Sequence, residues 1–198
     1  MQTPDTTTAL PVTVYTEMTP NPETMKFVTD RMLLPNISVD FTEPSAAINS
    51  PLAIELFGFP FVRGVFIMNN FVTISKTADT DWHDVIPSMR VFLKNYLEAA
   101  KPVFNEAFRP NNPNTTTSHD ESDIVKNIKE MLDNYVKPAV EMDGGAIQFK
   151  SYDNGKVTLL LQGSCSGCPS SMVTLKSGIE GLLKRMVPEV TEVVAEAI

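Results

Sequence analysis

The chain has 198 residues, with 16 basic and 24 acidic side chains and a formal net charge of −8 at pH 7. This length allows one or two domains that each bury a core. The acidic balance disfavours nucleic acid and anionic membranes as partners, because both bind basic surfaces. No apolar run approaches the roughly 18 residues of a spanning helix. We therefore expect neither nucleic acid nor a membrane as a partner.

The N-terminus and the cysteine content indicate a compartment. Residues 1–10 contain no basic cluster and no apolar run, and no arginine precedes Arg31. Neither a signal peptide nor a transit peptide is therefore expected. The two cysteines, Cys165 and Cys168, are too few for a disulfide framework. Their spacing fits thiol chemistry or metal binding in a reducing compartment, and we expect a cytoplasmic protein.

Composition divides the chain in two. Residues 110–118 are polar and hold no bulky apolar side chain, which is typical of a flexible linker. Ten of the eleven phenylalanines precede this segment, whereas seven of the nine glycines and both cysteines follow it. We predict two small α+β domains, over residues 1–109 and 119–198, joined by the linker 110–118.

The first half predicts short strands followed by a helix, a hairpin and a longer helix. In chain order these are strands near Val14 and 26–28, a strand over 37–41, a helix over 51–57 with Ser50 as N-cap, a hairpin turning at Asn69 and Asn70, and a helix beginning near Trp82. Pro87 should kink this last helix or delay its start to about Asp84. Four phenylalanines at strand spacing favour ordinary core over a ligand pocket: Phe57, Phe59, Phe61 and Phe66.

The second half predicts the order helix, hairpin, cysteine loop, helix, strand. A capping box of Ser118 and Glu121 begins the first helix, and Pro138 helps to end it. Residues 143–145 form a turn, and Asp-Asn-Gly at 153–155 is a strong hairpin signal. The second helix begins at Pro169 after the cysteines and is closed by Pro188, and valines at 190, 193 and 194 suit a last strand.

The Cys-x-x-Cys segment carries the chemistry. It lies between a predicted strand and a helix N-terminus, where the helix dipole and free amides favour thiolate over thiol. Cys165 and Cys168 can converge on one metal ion or one edge of a cluster. Gly163 and Gly167 give the backbone the freedom to bring amides close to a bound sulfur, so we count both glycines as cofactor-binding candidates.

One interpretation of this segment is a thiol-disulfide oxidoreductase, because a Cys-x-x-Cys at a strand-to-helix turn is typical of thioredoxin-like folds. Three features speak against it. The region after Asp120 is short for that fold, the motif follows a tight hairpin instead of a parallel crossover, and no aromatic residue flanks Cys165.

Zinc and iron–sulfur sites are the other two interpretations. Tetrahedral zinc needs four protein ligands, but His83 and His119 are not at ligand spacing from the cysteines and are expected on the surface. An iron–sulfur cluster normally takes four thiolates, and one chain supplies two. Two chains together would complete the set, so this interpretation predicts a cluster shared across a homodimer.

The sequence around the cysteines resembles the C-terminal domain of NifU, the Nfu-type iron–sulfur scaffold domain. The resemblance rests on the segments 136–140 (Val-Lys-Pro-Ala-Val), 143–145 (Asp-Gly-Gly), 163–171 (Gly-Ser-Cys-Ser-Gly-Cys-Pro-Ser-Ser) and 174–176 (Thr-Leu-Lys). Ala146 departs from the family, which often has an acidic residue there. The first half resembles the N-terminal domain of Nfu proteins, through segments that include 19–22, 50–53, 64–66 and 71–76.

The resemblance implies a scaffold or carrier, not an enzyme. It implies a labile [4Fe–4S] cluster, favoured over [2Fe–2S], held between two chains by Cys165 and Cys168 and passed to apo-proteins. The N-terminal half contains no cysteine and cannot supply thiolate ligands. The resemblance implies that this half recognises client proteins or upstream assembly factors.

Overall fold

A computed structural model describes residues 11–106, 108, 122–166 and 169–197. Within these residues the chain forms two sheets, of five and three strands, each with its own helices. The α+β fold class and the two-domain organisation are therefore confirmed. The predicted linker, 110–118, lies outside the described residues.

The N-terminal sheet is antiparallel throughout, in the order β1-β2-β5-β4-β3. Its strands are β1 (Val14–Met18), β2 (Thr24–Thr29), β3 (Leu34–Phe41), β4 (Val62–Asn69) and β5 (Phe71–Lys76). Strands β4 and β5 form the predicted hairpin. Asn69 occupies its turn with φ +46°, a conformation that asparagine tolerates better than most residues.

Two helices cover one face of this sheet. Helix α1 (Pro51–Phe57) has the predicted cap, since the Ser50 hydroxyl accepts a hydrogen bond from the Ala53 amide. Helix α2 (Trp82–Glu98) begins at Trp82, not near Asp84, because the Asp81 carboxylate already caps it. It continues through Pro87, so the delayed start is wrong. The core between helices and sheet includes Phe27, Leu52, Leu56, Ile67, Ile74, Met89 and Leu93.

The four phenylalanines separate into two environments. Phe57, Phe59 and Phe61 are partly buried against the core under the helices, as expected. Phe66 lies on the opposite face of the sheet in a second apolar cluster, which includes a residue of the C-terminal half. The sheet of the N-terminal domain is therefore covered on both faces.

The C-terminal domain begins with a nearly continuous helical segment. Its parts are α3 (Asp123–Met131), a π-helical turn (Leu132–Val136) and α4 (Lys137–Met142). The N-cap is Ser122, whose hydroxyl accepts from the Val125 amide, and the predicted box residues Ser118 and Glu121 lie outside the described residues. Pro138 does not end the helix, because it follows the π turn at the second position of α4, where a missing amide donor is tolerated.

Three strands and one long helix complete this domain. They are β6 (Gly145–Asp153), β7 (Lys156–Gly163), α5 (Pro169–Met186) and β8 (Glu192–Ala197). Strands β6 and β7 form the predicted hairpin through Asn154 and Gly155, both with positive φ. The core includes Ile128, Leu132, Ile147, Val157, Leu159, Leu161, Leu183 and Val193.

Strand β8 pairs with β7 in parallel, so α5 is the crossover of a βαβ unit. The cysteines thus lie at the start of a parallel crossover, contrary to the sequence-based prediction. A hairpin of two strands can still gain a third, parallel strand. The long helix carries the chain back to the end of the sheet where β7 begins, so β8 runs in the same direction as β7. No helix in the described ranges has the length and apolarity to cross a membrane.

Candidate functional site

Cys165 lies two residues after the end of β7, in the turn that leads to α5. Gly163 ends the strand with φ +65°, a conformation that favours glycine. The carbonyl of Gly163 accepts hydrogen bonds from both the amide and the hydroxyl of Ser166, which close the turn around Cys165. The other two predicted site residues, Gly167 and Cys168, lie outside the described residues.

The Asp-Gly-Gly turn at 143–145 packs against this loop. A Cβ on Gly145 would come within 2.9 Å of the Cys165 Sγ and 2.6 Å of the Gln162 carbonyl oxygen. The Ser164 hydroxyl donates to the Asp143 carbonyl, and the Ser164 amide to the carbonyl of Gly144. This turn therefore shapes the site directly, because only a glycine at 145 leaves room for the sulfur.

The Cys165 side chain is buried, with 6% of its surface exposed, and it belongs to the apolar core of its own domain. Burial raises the pKa of the thiol, and the nearby Asp143 charge raises it further, although the Ser164 hydroxyl acts in the opposite direction. Apolar burial of Cys165 therefore opposes the thiolate form that the helix N-terminus is expected to favour.

The N-terminal domain contacts this part of the C-terminal domain through an apolar patch. Ala146, at the start of β6, packs in a buried cluster with Val28, Phe66, Met68 and Phe71 of the N-terminal sheet. Ala146 is one position at which the chain departs from the family resemblance. An acidic side chain here would approach these apolar side chains, so alanine suits the contact between the domains.

Two hydrogen bonds connect the N-terminal domain to the residues just before Cys165. The Gly163 amide donates to the Asp40 carboxylate over 2.7 Å, and the Asn21 side-chain amide donates to the Ser164 carbonyl over 3.2 Å. Both residues preceding Cys165 are thus fixed from the other domain. We call this set of apolar and polar contacts between the two domains the domain interface.

Further hydrogen bonds extend the domain interface along α4, the 143–145 turn and β7. They are Thr73 Oγ1 to the Gly144 carbonyl (2.7 Å), Ser38 Oγ to Gln162 Oε1 (2.7 Å), Lys26 Nζ to the Met142 carbonyl (3.2 Å) and Asn69 Nδ2 to Glu141 Oε2 (3.3 Å). Burial raises the pKa of Asp40 to about 6, an effect partly opposed by its bond from Gly163.

Sequence analysis did not single out any residue of the domain interface for this role. Two signals were available. Ser38 and Asp40 share the polar face of a strand with period two, and the runs 65–68 and 71–74 are apolar at nearly every position. Uninterrupted apolar strands indicate a sheet that is buried on both faces, although they do not identify what covers each face.

The histidines do not support a metal site with the cysteine. His83 is exposed on α2 in the N-terminal domain, as expected, and His119 lies outside the described residues. Within the ranges that the structure describes, no three histidine, cysteine or acidic side chains are grouped as metal ligands.

The fold and the site define a two-domain α+β protein whose Cys-x-x-Cys loop connects a strand to a crossover helix. The family described as "Scaffold protein Nfu/NifU N terminal" matches residues 14–100, and that described as "NifU-like domain" matches residues 128–194. The two matches fall on the two domains, one on each.

Curated relatives match across both domains. A protein of Drosophila willistoni named "NFU1 iron-sulfur cluster scaffold homolog, mitochondrial" is 42% identical over 187 residues, which are 91% of this chain and 62% of that protein. The human protein of the same name is 37% identical over 179 residues, 89% of this chain and 69% of that protein. The chain thus spans about three fifths of the length of the Drosophila relative. A solution structure of a NifU-like protein from Saccharomyces cerevisiae matches with a TM-score of 0.42 and 25% identity, over 48% of this chain and 87% of that one.

The chain belongs to the Nfu/NifU family of iron–sulfur cluster scaffold proteins. The expectation of a cytoplasmic location is wrong, since these relatives are named mitochondrial. That expectation depended on the composition of the N-terminal residues and on the two cysteines.

Proposed function

We propose that this protein carries a labile [4Fe–4S] cluster, bound by Cys165 and Cys168 of two chains, and transfers it to apo-proteins. The observation that supports this most directly is stoichiometric. A cluster takes four thiolates, and the whole sequence contains two cysteines, at a spacing that lets both bind one cluster edge. The cluster is cargo, so the protein acts as a carrier and undergoes no catalytic turnover.

Gly163 and Gly167 contribute backbone freedom in this proposal. Gly163 already has a positive φ, and its flexibility would let amides of the loop approach cluster sulfur. The bounds 1–109 and 119–198 delimit a client- or factor-recognising domain and a cluster-binding domain. The names of the relatives support a mitochondrial location, which fractionation of the source cells with an antibody against the chain would test.

Transfer proceeds by ligand exchange without a change in oxidation state. A client thiolate replaces Cys165 or Cys168 at one iron, and the released thiolate takes up the proton that the client thiol gave up. Four such exchanges move the cluster. Because Cys165 is buried in the cluster-free chain, the loop must turn its sulfur outward before the first iron–sulfur bond forms.

Anaerobic reconstitution with iron and sulfide tests the proposal, with iron, sulfide and molecular mass measured on the same sample. We expect about four iron and four sulfide per dimer, lost in Cys165→Ala and in Cys168→Ala. His83→Ala, a metal-ligating residue type on the other domain, is the control and should load normally. A monomer that retains stoichiometric zinc would contradict the proposal.

A thiol-disulfide oxidoreductase is the second candidate, and the parallel β7–α5–β8 crossover favours it. Cys165 is buried and its pKa is raised. Both features disfavour this activity, because thiol–disulfide exchange requires an accessible thiolate. Efficient reduction of a disulfide substrate by a colourless monomer would establish this activity in place of the carrier function.

A further inference from the structure

We infer that the N-terminal domain is an intramolecular clamp on the cysteine loop. While the domain interface is formed, the clamp holds Cys165 in its buried orientation, and it must release β7 before the loop can bind a cluster. The role of the clamp in cluster loading rests on the proposed function. The protection of the thiol by the other domain can be measured without any cluster.

The clamp acts on the backbone next to the sulfur. Asp40 accepts from the Gly163 amide over 2.7 Å, and Asn21 donates to the Ser164 carbonyl over 3.2 Å. The Cys165 side chain is enclosed by the core of its own domain, so it reaches solvent when the backbone of the loop moves away from that core. The peptide groups before Cys165 are bonded to the N-terminal domain, so this movement breaks both bonds.

The clamp also holds the surface against which the sulfur packs. Gly145 leaves only enough space for the Cys165 Sγ, and its neighbour Gly144 accepts from the Thr73 hydroxyl over 2.7 Å. A Cβ on Gly144 would lie 2.9 Å from the Thr73 Oγ1, which shows how closely the domains approach here. The turn against which the sulfur packs and the backbone before Cys165 are therefore both bonded to the N-terminal domain.

The apolar part of the domain interface supplies the attraction that keeps the clamp closed. Val28, Phe66, Met68 and Phe71 are each at most 9% exposed, and they form one buried cluster with Ala146 of the C-terminal domain. These four side chains lie on the sheet face away from the helices of the N-terminal domain. Separating the domains would expose them to water, which opposes opening.

Ala146 is the position at which to open the clamp. Ala146→Glu places a charge in the apolar cluster without touching the core of either domain, so the docked state is penalised and the separated state is not. Ser151→Glu is the matched control, because it adds the same charge on the same strand at an exposed position.

The experiment measures alkylation of Cys165 by iodoacetamide in the full chain, with Cys168→Ser in every protein so that one thiol reacts. Intact mass gives the rate and small-angle X-ray scattering gives the radius of gyration. We expect Ala146→Glu to raise the radius of gyration and to raise the alkylation rate by about tenfold. The rate should rise because the thiol becomes accessible only when the clamp opens. Ser151→Glu should change neither.

Two results would overturn the inference. One is an unchanged alkylation rate in Ala146→Glu despite a larger radius of gyration, which would mean that the C-terminal domain alone buries the thiol. The other is a parent protein whose domains are already separate. If circular dichroism shows that Ala146→Glu does not fold, the alkylation rate of Thr73→Val tests the clamp in its place. This variant keeps the volume but removes the bond to Gly144, and it should speed alkylation about threefold, whereas an unchanged rate contradicts the clamp.

Reconstitution with iron and sulfide separates this inference from the proposed function. In proteins that retain both cysteines, Ala146→Glu should load faster than the wild type. Equal loading rates would contradict the clamp and leave the carrier function intact. If neither protein loads, the carrier function fails, and the alkylation rates still decide whether the clamp exists.

Discussion

Gly145 and Cys165 are in contact so close that the glycine has no room for a side chain. A Cβ at 145 would lie 2.9 Å from the Cys165 Sγ and 2.6 Å from the Gln162 carbonyl oxygen. The Asp-Gly-Gly turn and the Cys-x-x-Cys loop are 20 positions apart in sequence, from 145 to 165, and form one structural unit. The glycine of one motif makes the pocket for the sulfur of the other.

Gly145→Ala should therefore destabilise the C-terminal domain by about 1–3 kcal/mol, since overpacking against a carbonyl oxygen cannot be relieved by rotating a side chain. Hydrogen exchange of amides in β6 and β7 measures this loss. Gly178→Ala, on α5 with no atom near the new Cβ, is the control and should be neutral or stabilising by up to about 1 kcal/mol. Equal effects of the two variants would contradict the close contact.

Asp40 should make the stability of the N-terminal domain depend on pH. Its pKa is about 6 in the folded chain against an ordinary value of 3.8, so between these values the folded state binds more protons than the unfolded state. The free energy of unfolding then falls as pH rises through this window, by at most about 3 kcal/mol.

Urea unfolding measures this contribution through the fluorescence of Trp82, the single tryptophan of the chain, at pH values from 4 to 7.5. Asp40→Asn removes the titration but keeps an oxygen that can accept from the Gly163 amide. The wild type should lose stability relative to Asp40→Asn as pH rises, with most of the change below pH 7. A difference that stays constant across this range would contradict the raised pKa of Asp40 in the folded chain.

Gly155→Ala should weaken the β6–β7 hairpin by about 1–3 kcal/mol. Gly155 has φ +85°, and a Cβ there would lie 2.7 Å from the Thr191 Oγ1. Asn154→Gly is the matched change at the neighbouring position, which has φ +47°, and should shift stability by less than about 0.5 kcal/mol. Thermal unfolding by circular dichroism compares them, and a larger loss in Asn154→Gly would contradict the turn geometry.

Ser50→Ala should cost the N-terminal domain about 1–2 kcal/mol. The buried Ser50 hydroxyl accepts from the Ala53 amide and donates to the Val103 carbonyl, so its loss leaves two groups without a partner. Ser45→Ala removes an exposed hydroxyl bonded to Glu43 and should be near neutral. The urea midpoint followed by Trp82 fluorescence distinguishes them, and similar midpoints would show that the cap does not stabilise α1.

The elements that sequence predicted correctly are those fixed by neighbours along the chain. The Ser50 cap, the Asn69 turn and the Asn154–Gly155 hairpin each depend on a few adjacent residues whose conformational preferences are strong. The errors at Pro87 and Pro138 both come from the local preference of proline against the helix. Helix α2 begins at its Asp81 cap and continues through Pro87, and Pro138 follows a π turn at the second position of α4.

The sequence by itself determined that this chain has two α+β domains and a Cys-x-x-Cys loop before a helix, because periodicity, turn residues and cysteine spacing are local properties. Only the tertiary structure decided that β8 runs parallel to β7, that Gly145 makes room for Cys165, and that Asp40 and Asn21 hold the backbone before it. These are contacts between residues distant in sequence, and nothing in the local pattern specifies which distant surface a strand or a buried face will meet. For that reason the sequence predicted a thiolate at Cys165, whereas packing in the core of the C-terminal domain buries this side chain.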